Sequence, residues 1–140
     1  MEDVVLYSKI EPKEYKFLRQ SVGWYLPEEE QTKLSLENSI YVVKADIGGE
    51  TVGMARLVGD GVFYFLLVDV IVLPEYQGRG IGTLMVREIL KFAEQKRKAG
   101  QTFSVQLSSA KGREGFYERF GFEKRPNDHT GCGMGLLLKD

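Results

Sequence analysis

The apolar residues of this chain change period several times, and each change predicts an element. VVLYS (4–8) fits a short strand. EPKEYKFLRQSVGW (11–24) fits a helix, with Pro12 near its first turn and Gly23 near its end. LPEEEQTKLSLENS (26–39) fits a second helix, short and acidic. SIYVVKADIGG (39–49) and ETVGMARLVGDG (50–61) predict two strands joined at Gly48-Gly49, and Asp60-Gly61 predicts another tight turn. The next run, VFYFLLVDVIVL (62–73), hardly alternates, which predicts a strand buried on both faces. Over 80–99, Ile81, Leu84, Met85, Ile89, Phe92 and Ala93 follow helical spacing, and Gly100 closes the helix. TFSVQLSS (102–109) reads as a strand and REGFYERF (113–120) as a short helix stopped by Gly121. The tail, 122–140, reads as strand with an irregular middle at Pro126.

The predicted order is β-α-α-β-β-β-α-β-α-β, an α/β fold in which 62–108 make a parallel crossover. At 140 residues the simplest organisation is one domain spanning 1–140. A net charge of −1 supplies no global basic field, so no nucleic-acid partner is expected. The longest apolar run is broken by Asp69 and is too short to span a bilayer, so no membrane partner is expected either. The single cysteine, Cys132, excludes an intrachain disulfide and fits a reducing compartment. The acidic opening MEDVVLYSKIEPKEY does not read as a signal peptide, and the expected location is cytoplasmic. His129 and Cys132 lie in the polar stretch RPNDHTGCGM; one His and one Cys make no zinc set, and no metal is expected.

Chemistry concentrates in PEYQGRGIGTLM (74–85), with glycines at 78, 80 and 82 between a strand and a helix. The first N–H groups of a helix lack partners, and the helix dipole adds positive potential there. Glycine lets an anion approach the backbone with no Cβ in the way. Arg79 adds a cation. A Walker loop needs Gly-Lys-Ser/Thr, but Gly82 is followed by Thr83-Leu84; the dinucleotide fingerprint fails because Gly80-Ile81-Gly82 leads to Met85. The spacing that fits is Gln77-x-x-Gly80-x-Gly82. The bare pattern also allows an ordinary strand-to-helix turn.

VDVIVLPEYQGRGIGTLM resembles the signature of the GNAT superfamily of acyl-CoA N-acyltransferases, whose pyrophosphate loop reads Q/R-x-x-G-x-G/A. GFYERFGFEKR (115–125) resembles a second motif of that family, in the right order. The resemblance implies a mixed central sheet, splayed between its fourth and fifth strands and flanked by helices. It implies acetyl-CoA as cosubstrate and transfer of acetyl to a primary amine by direct attack in a ternary complex. Val70, Ile71 and Val72 would meet the pantetheine arm, and Gln77, Gly78, Arg79, Gly80, Ile81 and Gly82 would cradle the pyrophosphate. Tyr117 is the implied general acid for the departing thiolate; without the resemblance it reads as a helix tyrosine packed on the sheet with its hydroxyl capped. Asp69 reads as a base for the amine through water, as its positioning group, or as the partner of a basic group that organises the strand. Trp24 and Tyr25 fall where this family builds its acceptor wall. Ala110 stands where many relatives carry an asparagine, so that contact is absent or supplied by Ser108, Ser109 or Lys111. The implied acceptor is a small-molecule or peptide amine, and a homodimer through the sheet or C-terminal strand is allowed. Two other readings stay open: a non-catalytic acyl-CoA-binding module on the same fold, and a loop that serves a nucleotide.

Overall fold

The computed structural model describes residues 3–139, which form two compact units, one ending at Val105 and the other beginning at Gln106. In the first, β1 (Val4–Tyr7) leads into α1 (Pro12–Ser21) and α2 (Glu29–Glu37), then the hairpin of β2 (Tyr41–Ile47) and β3 (Glu50–Gly59). The two-residue loop at Gly48-Gly49 closes that hairpin, with Ile47 opposite Glu50, as the sequence predicts. The chain continues through β4 (Tyr64–Val72), a 3-10 turn (Pro74–Tyr76) and α3 (Ile81–Lys96) to β5 (Ser104–Gln106). The sheet order is β1-β2-β3-β4-β5; the first four strands pair antiparallel and β5 runs parallel to β4.

The core forms where sheet and helices meet. Met54, Leu57, Phe65 and Ile71 are buried from the sheet, Leu18 from α1, and Ile81, Met85, Val86, Ile89 and Ala93 from one face of α3. Each large aliphatic or aromatic side chain among them contributes roughly 1.5–3 kcal/mol. Leu84 departs from the sequence expectation: it points off that face and is exposed. The first half of β4 departs too. Tyr64 and Leu66 are exposed while Phe65 and Leu67 are buried, so this half alternates. Helix α1 reaches β4 at its second half, where Tyr15 meets Asp69, and the strand's start lacks that cover.

The second unit carries α4 (Glu114–Glu118), shorter than predicted. Residues 122–139 contain no strand, which corrects the expectation for the tail. Gly131, Gly133 and Gly135 alternate there, so one face of a strand would have no side chains to pack. The Asn127 side chain instead organises a turn by accepting from the N–H groups of His129 and Thr130 at 2.8 and 2.9 Å.

Glu14 ties α1 to the sheet. Its carboxylate accepts from Thr51 at 2.7 Å, from Lys44 at 3.0 Å and from the Glu11 N–H at 2.9 Å. Burial pushes its pKa up, but these bonds and the Lys44 charge outweigh that and leave it below the ordinary 4.5. A depressed carboxylate stabilises the fold fully above its unfolded value and loses that contribution as pH falls through the folded one. Glu14→Gln is therefore expected to lower the melting temperature at pH 7 and to shrink the further loss between about pH 5 and pH 3. Thermal melts of both proteins across that range check it; parallel curves would refute it.

Candidate active site

The glycine loop begins where β4 ends. The 3-10 turn is closed by Tyr76 and Gln77 N–H groups donating to Leu73 and Pro74 carbonyls at 2.8 and 3.3 Å. Gly80 has φ 83°, a left-handed conformation that glycine tolerates, and it caps α3. The first helical bond is Leu84 N–H to Gly80 O at 3.1 Å. The N–H groups of residues 78–83 meet no acceptor among the described residues. Six consecutive unbonded amides at the positive end of a 16-residue helix make an anion cradle. Arg79 folds back on the loop: it donates to Glu75 O at 3.1 Å, and its guanidinium lies 4.8 Å from the Tyr76 ring centre. Gln77 also turns inward, donating from its side chain to Val72 O at 3.0 Å.

That last bond reports an open strand edge. Leu73 N–H donates to Val52 O of β3 at 2.8 Å, so alternation turns the Val72 N–H and C=O to the opposite edge. On that edge Ser104 N–H donates to Phe63 O at 2.8 Å, just before β4 begins, and β5 ends at Gln106. Within the first unit no described strand pairs with the later part of β4 on that edge, which is where the resemblance implies a splay. Of the three predicted pantetheine residues, Val72 presents its backbone there, Val70 lies in a bulge, and Ile71 faces β3 with its side chain buried.

Asp69 forms the bulge. It is the only non-glycine residue with positive φ among those described, at 54°. One carboxylate oxygen accepts from Arg19 Nη1 at 2.6 Å. The other accepts from Tyr15 Oη at 2.8 Å and from Arg56 Nε at 3.0 Å, with Arg56 Nη2 in ion-pair contact, also at 3.0 Å. Three of these four contacts converge on one oxygen and one on the other, so the carboxylate is held by α1 and β3 together. Burial, then the Asp69 charge and hydrogen bond, push the Tyr15 phenol above 10, so it keeps its proton and donates. The same Arg19 donates from Nε to Tyr25 O at 2.7 Å and sits 5.5 Å from the Trp24 ring centre. Asp69, Trp24 and Tyr25 thus belong to one connected group. Trp24 is half-buried and Tyr25 is exposed. Tyr15, Arg19 and Arg56 were not singled out from sequence, although Arg56 interrupts the apolar run GMARLV as Asp69 interrupts its neighbour.

Tyr117 lies on α4 in the second unit, its ring edge-on to Phe116 at 5.0 Å and to Phe122 at 6.1 Å. Burial raises its phenol above 10, with the Arg113 charge opposing. Ala110 serves through its backbone, accepting from Arg113 N–H at 3.0 Å and from Ser109 Oγ at 2.8 Å.

A family model described as an acetyltransferase (GNAT) domain matches residues 37–124, and the chain belongs to that family. It is 30% identical over 122 residues to ycf52 of Porphyra purpurea, an uncharacterized N-acetyltransferase, covering 84% of this chain and 68% of that protein. It is 32% identical over 117 residues to serotonin N-acetyltransferase 2 of Oryza sativa subsp. japonica, a chloroplastic protein, covering 81% of this chain and 56% of that one. A solved GNAT-family acetyltransferase from Streptococcus pneumoniae TIGR4 superposes over all of both chains with a TM-score of 0.81 at 30% identity. A probable acetyltransferase from Staphylococcus aureus reaches 0.83 at 27% identity, over 96% of this chain and 100% of that one. The protein is an acyltransferase, an N-acetyltransferase of this family. Among the described residues no helix is long and apolar enough to cross a membrane.

Proposed function

We propose that the chain transfers acetyl from acetyl-CoA to a primary amine by direct attack in a ternary complex. The observation that carries this reading is the run of unbonded amides at 78–83, which opens beside the outward backbone of Val72. Gln77 through Gly82 frame the pyrophosphate, and the pantetheine amides pair with β4 at Val70 and Val72. Ile71 supports that edge from the core.

The amine nitrogen bonds to the thioester carbon, the C–S bond breaks, the nitrogen loses a proton and the thiolate leaves. A primary amine of pKa about 10.4 is neutral in only about one molecule in 2,500 at pH 7. The group around the bulge holds two guanidiniums against one carboxylate, and surplus positive charge favours a neutral amine nearby. Held by Tyr15, Arg19 and Arg56, Asp69 takes the positioning role, and water receives the proton. Trp24 and Tyr25, tied to the same arginine, wall the acceptor. Tyr117, protonated at neutral pH, donates to the thiolate. The lone exposed thiol of Cys132 suits the cytoplasm.

The test is thiol release from acetyl-CoA over a panel of small-molecule and peptide amines. Tyr117→Phe is expected to lower kcat about 10–100-fold and leave the acetyl-CoA KM within about twofold, because a thiolate already leaves moderately well. Stabilisation by CoA with no turnover on the panel would favour a non-catalytic acyl-CoA-binding module. Stabilisation by ATP or NAD and not by CoA would replace the cosubstrate.

A further inference from the structure

We propose that Tyr15, Arg19 and Arg56 act through Asp69 as a phase lock on β4, deciding which of its peptides faces the open edge. The identity of the ligand at that edge rests on the acetyl-CoA reading above; the lock itself does not.

The register carries the argument. Ile40 N–H donates to Leu57 O, whereas Val52 O accepts from Leu73 and Asp60 N–H donates to Tyr64 O. From Val52 onward, odd-numbered β3 residues therefore turn to β2 and even-numbered ones to β4. Before the bulge Arg56 faces Val68; after it Met54 faces Ile71. Two steps along β3 match three along β4, so Asp69 and Val70 share one opposing residue, Ala55. Without the extra residue Met54 would face Val70, and Val52 would face Val72. The Val72 N–H and C=O would then be consumed by β3, Ile71 would present its backbone outward, and its buried side chain would move to the opposite face.

Something must hold the bulge, because a left-handed backbone is unfavourable for any residue with a Cβ, though aspartate tolerates it better than most. The holders come from both sides. Tyr15 and Arg19, four residues apart, reach down from one face of α1. Arg56 reaches across from β3 itself, and its Nη1 is braced by Ser35 O at 3.1 Å and Ser39 Oγ at 3.2 Å. The Asp69 side chain is only 7% exposed, so the contacts are sheltered from solvent. Tyr15, Arg19 and Arg56 are positioning residues.

The experiment is residue-resolved amide hydrogen exchange by NMR on the full chain, first without ligand and then with CoA. In wild type, Ile71 and Leu73 amides are expected to exchange at least about tenfold more slowly than Val72. Arg56→Met is expected to cut that ratio about tenfold or invert it, and Arg56→Lys to restore most of it. Should Arg56→Met fail to fold, Asp69→Asn decides: asparagine tolerates the backbone but lacks the charge, and the ratio falls again. A wild-type exchange pattern in the folded variants overturns the lock. Added CoA is expected to slow the Val72 amide in wild type. An altered pattern in the variants with no CoA effect in wild type would uphold the lock and sink the acetyl-CoA reading.

Discussion

Gly59→Val is expected to lower the melting temperature by about 10–15 °C, or to prevent folding. Gly59 ends β3 opposite Phe65, with φ 142°, a backbone that L-residues rarely adopt. A Cβ built there would lie 2.0 Å from the Tyr64 carbonyl oxygen and 3.0 Å from Phe65 Cα. Both obstacles are backbone, so no side chain can swing aside. The segment is pinned as well: Asp60 Oδ1 accepts from the N–H groups of Val62, Phe63 and Tyr64 at 2.8, 2.8 and 3.1 Å. Strain and overpacking together cost about 3–5 kcal/mol. The consequence passes along the chain, because this turn sets the register with which β4 approaches the bulge and the loop. Thermal or urea unfolding of Gly59→Val beside Gly59→Ala measures it. A shift below about 2 °C for the valine would mean that the 59–65 turn reroutes freely.

The sequence shows most clearly those features that a few adjacent residues determine. Gly48-Gly49 between alternating runs makes a hairpin in any setting, and the apolar face of α3 needs only its own spacing. The glycine loop is legible for the same reason. The faces of β4 are not, because which half of a strand lies under a helix depends on where α1 crosses it. The strand expected in the tail fails for want of side chains on one face between Gly131 and Gly135. The partners of Asp69 lie 13, 50 and 54 residues away, so no local pattern names them. A signal did exist: a lone arginine in one apolar strand and a lone aspartate in the next, with Tyr15 and Arg19 at helical spacing ahead of both. Opposite charges in adjacent buried strands have few ways to be satisfied other than by each other.

Gly82→Ala is expected to separate stability from ligand binding. Gly82 is the second residue of α3 and is absent from the positive-φ positions, so its backbone does not demand glycine. Alanine there should favour the helix by up to about 1 kcal/mol. If the amides of 78–83 hold a pyrophosphate, the same Cβ would stand in its path. Displacement from one or two charge-assisted bonds of about 1.5–3 kcal/mol each predicts a loss of CoA affinity of about 10–100-fold or more. Gly80→Ala makes the contrast. Its φ is 83° with nothing within 4 Å of an added Cβ, so the penalty there is conformational and should lower stability and affinity together. Calorimetric titration with CoA alongside thermal melts reads both quantities. A Gly82→Ala protein that melts higher and binds CoA as wild type does would show that no phosphate reaches the loop at this point. The glycine would then serve the turn, and the anion cradle would have to be sought elsewhere along the edge of β4.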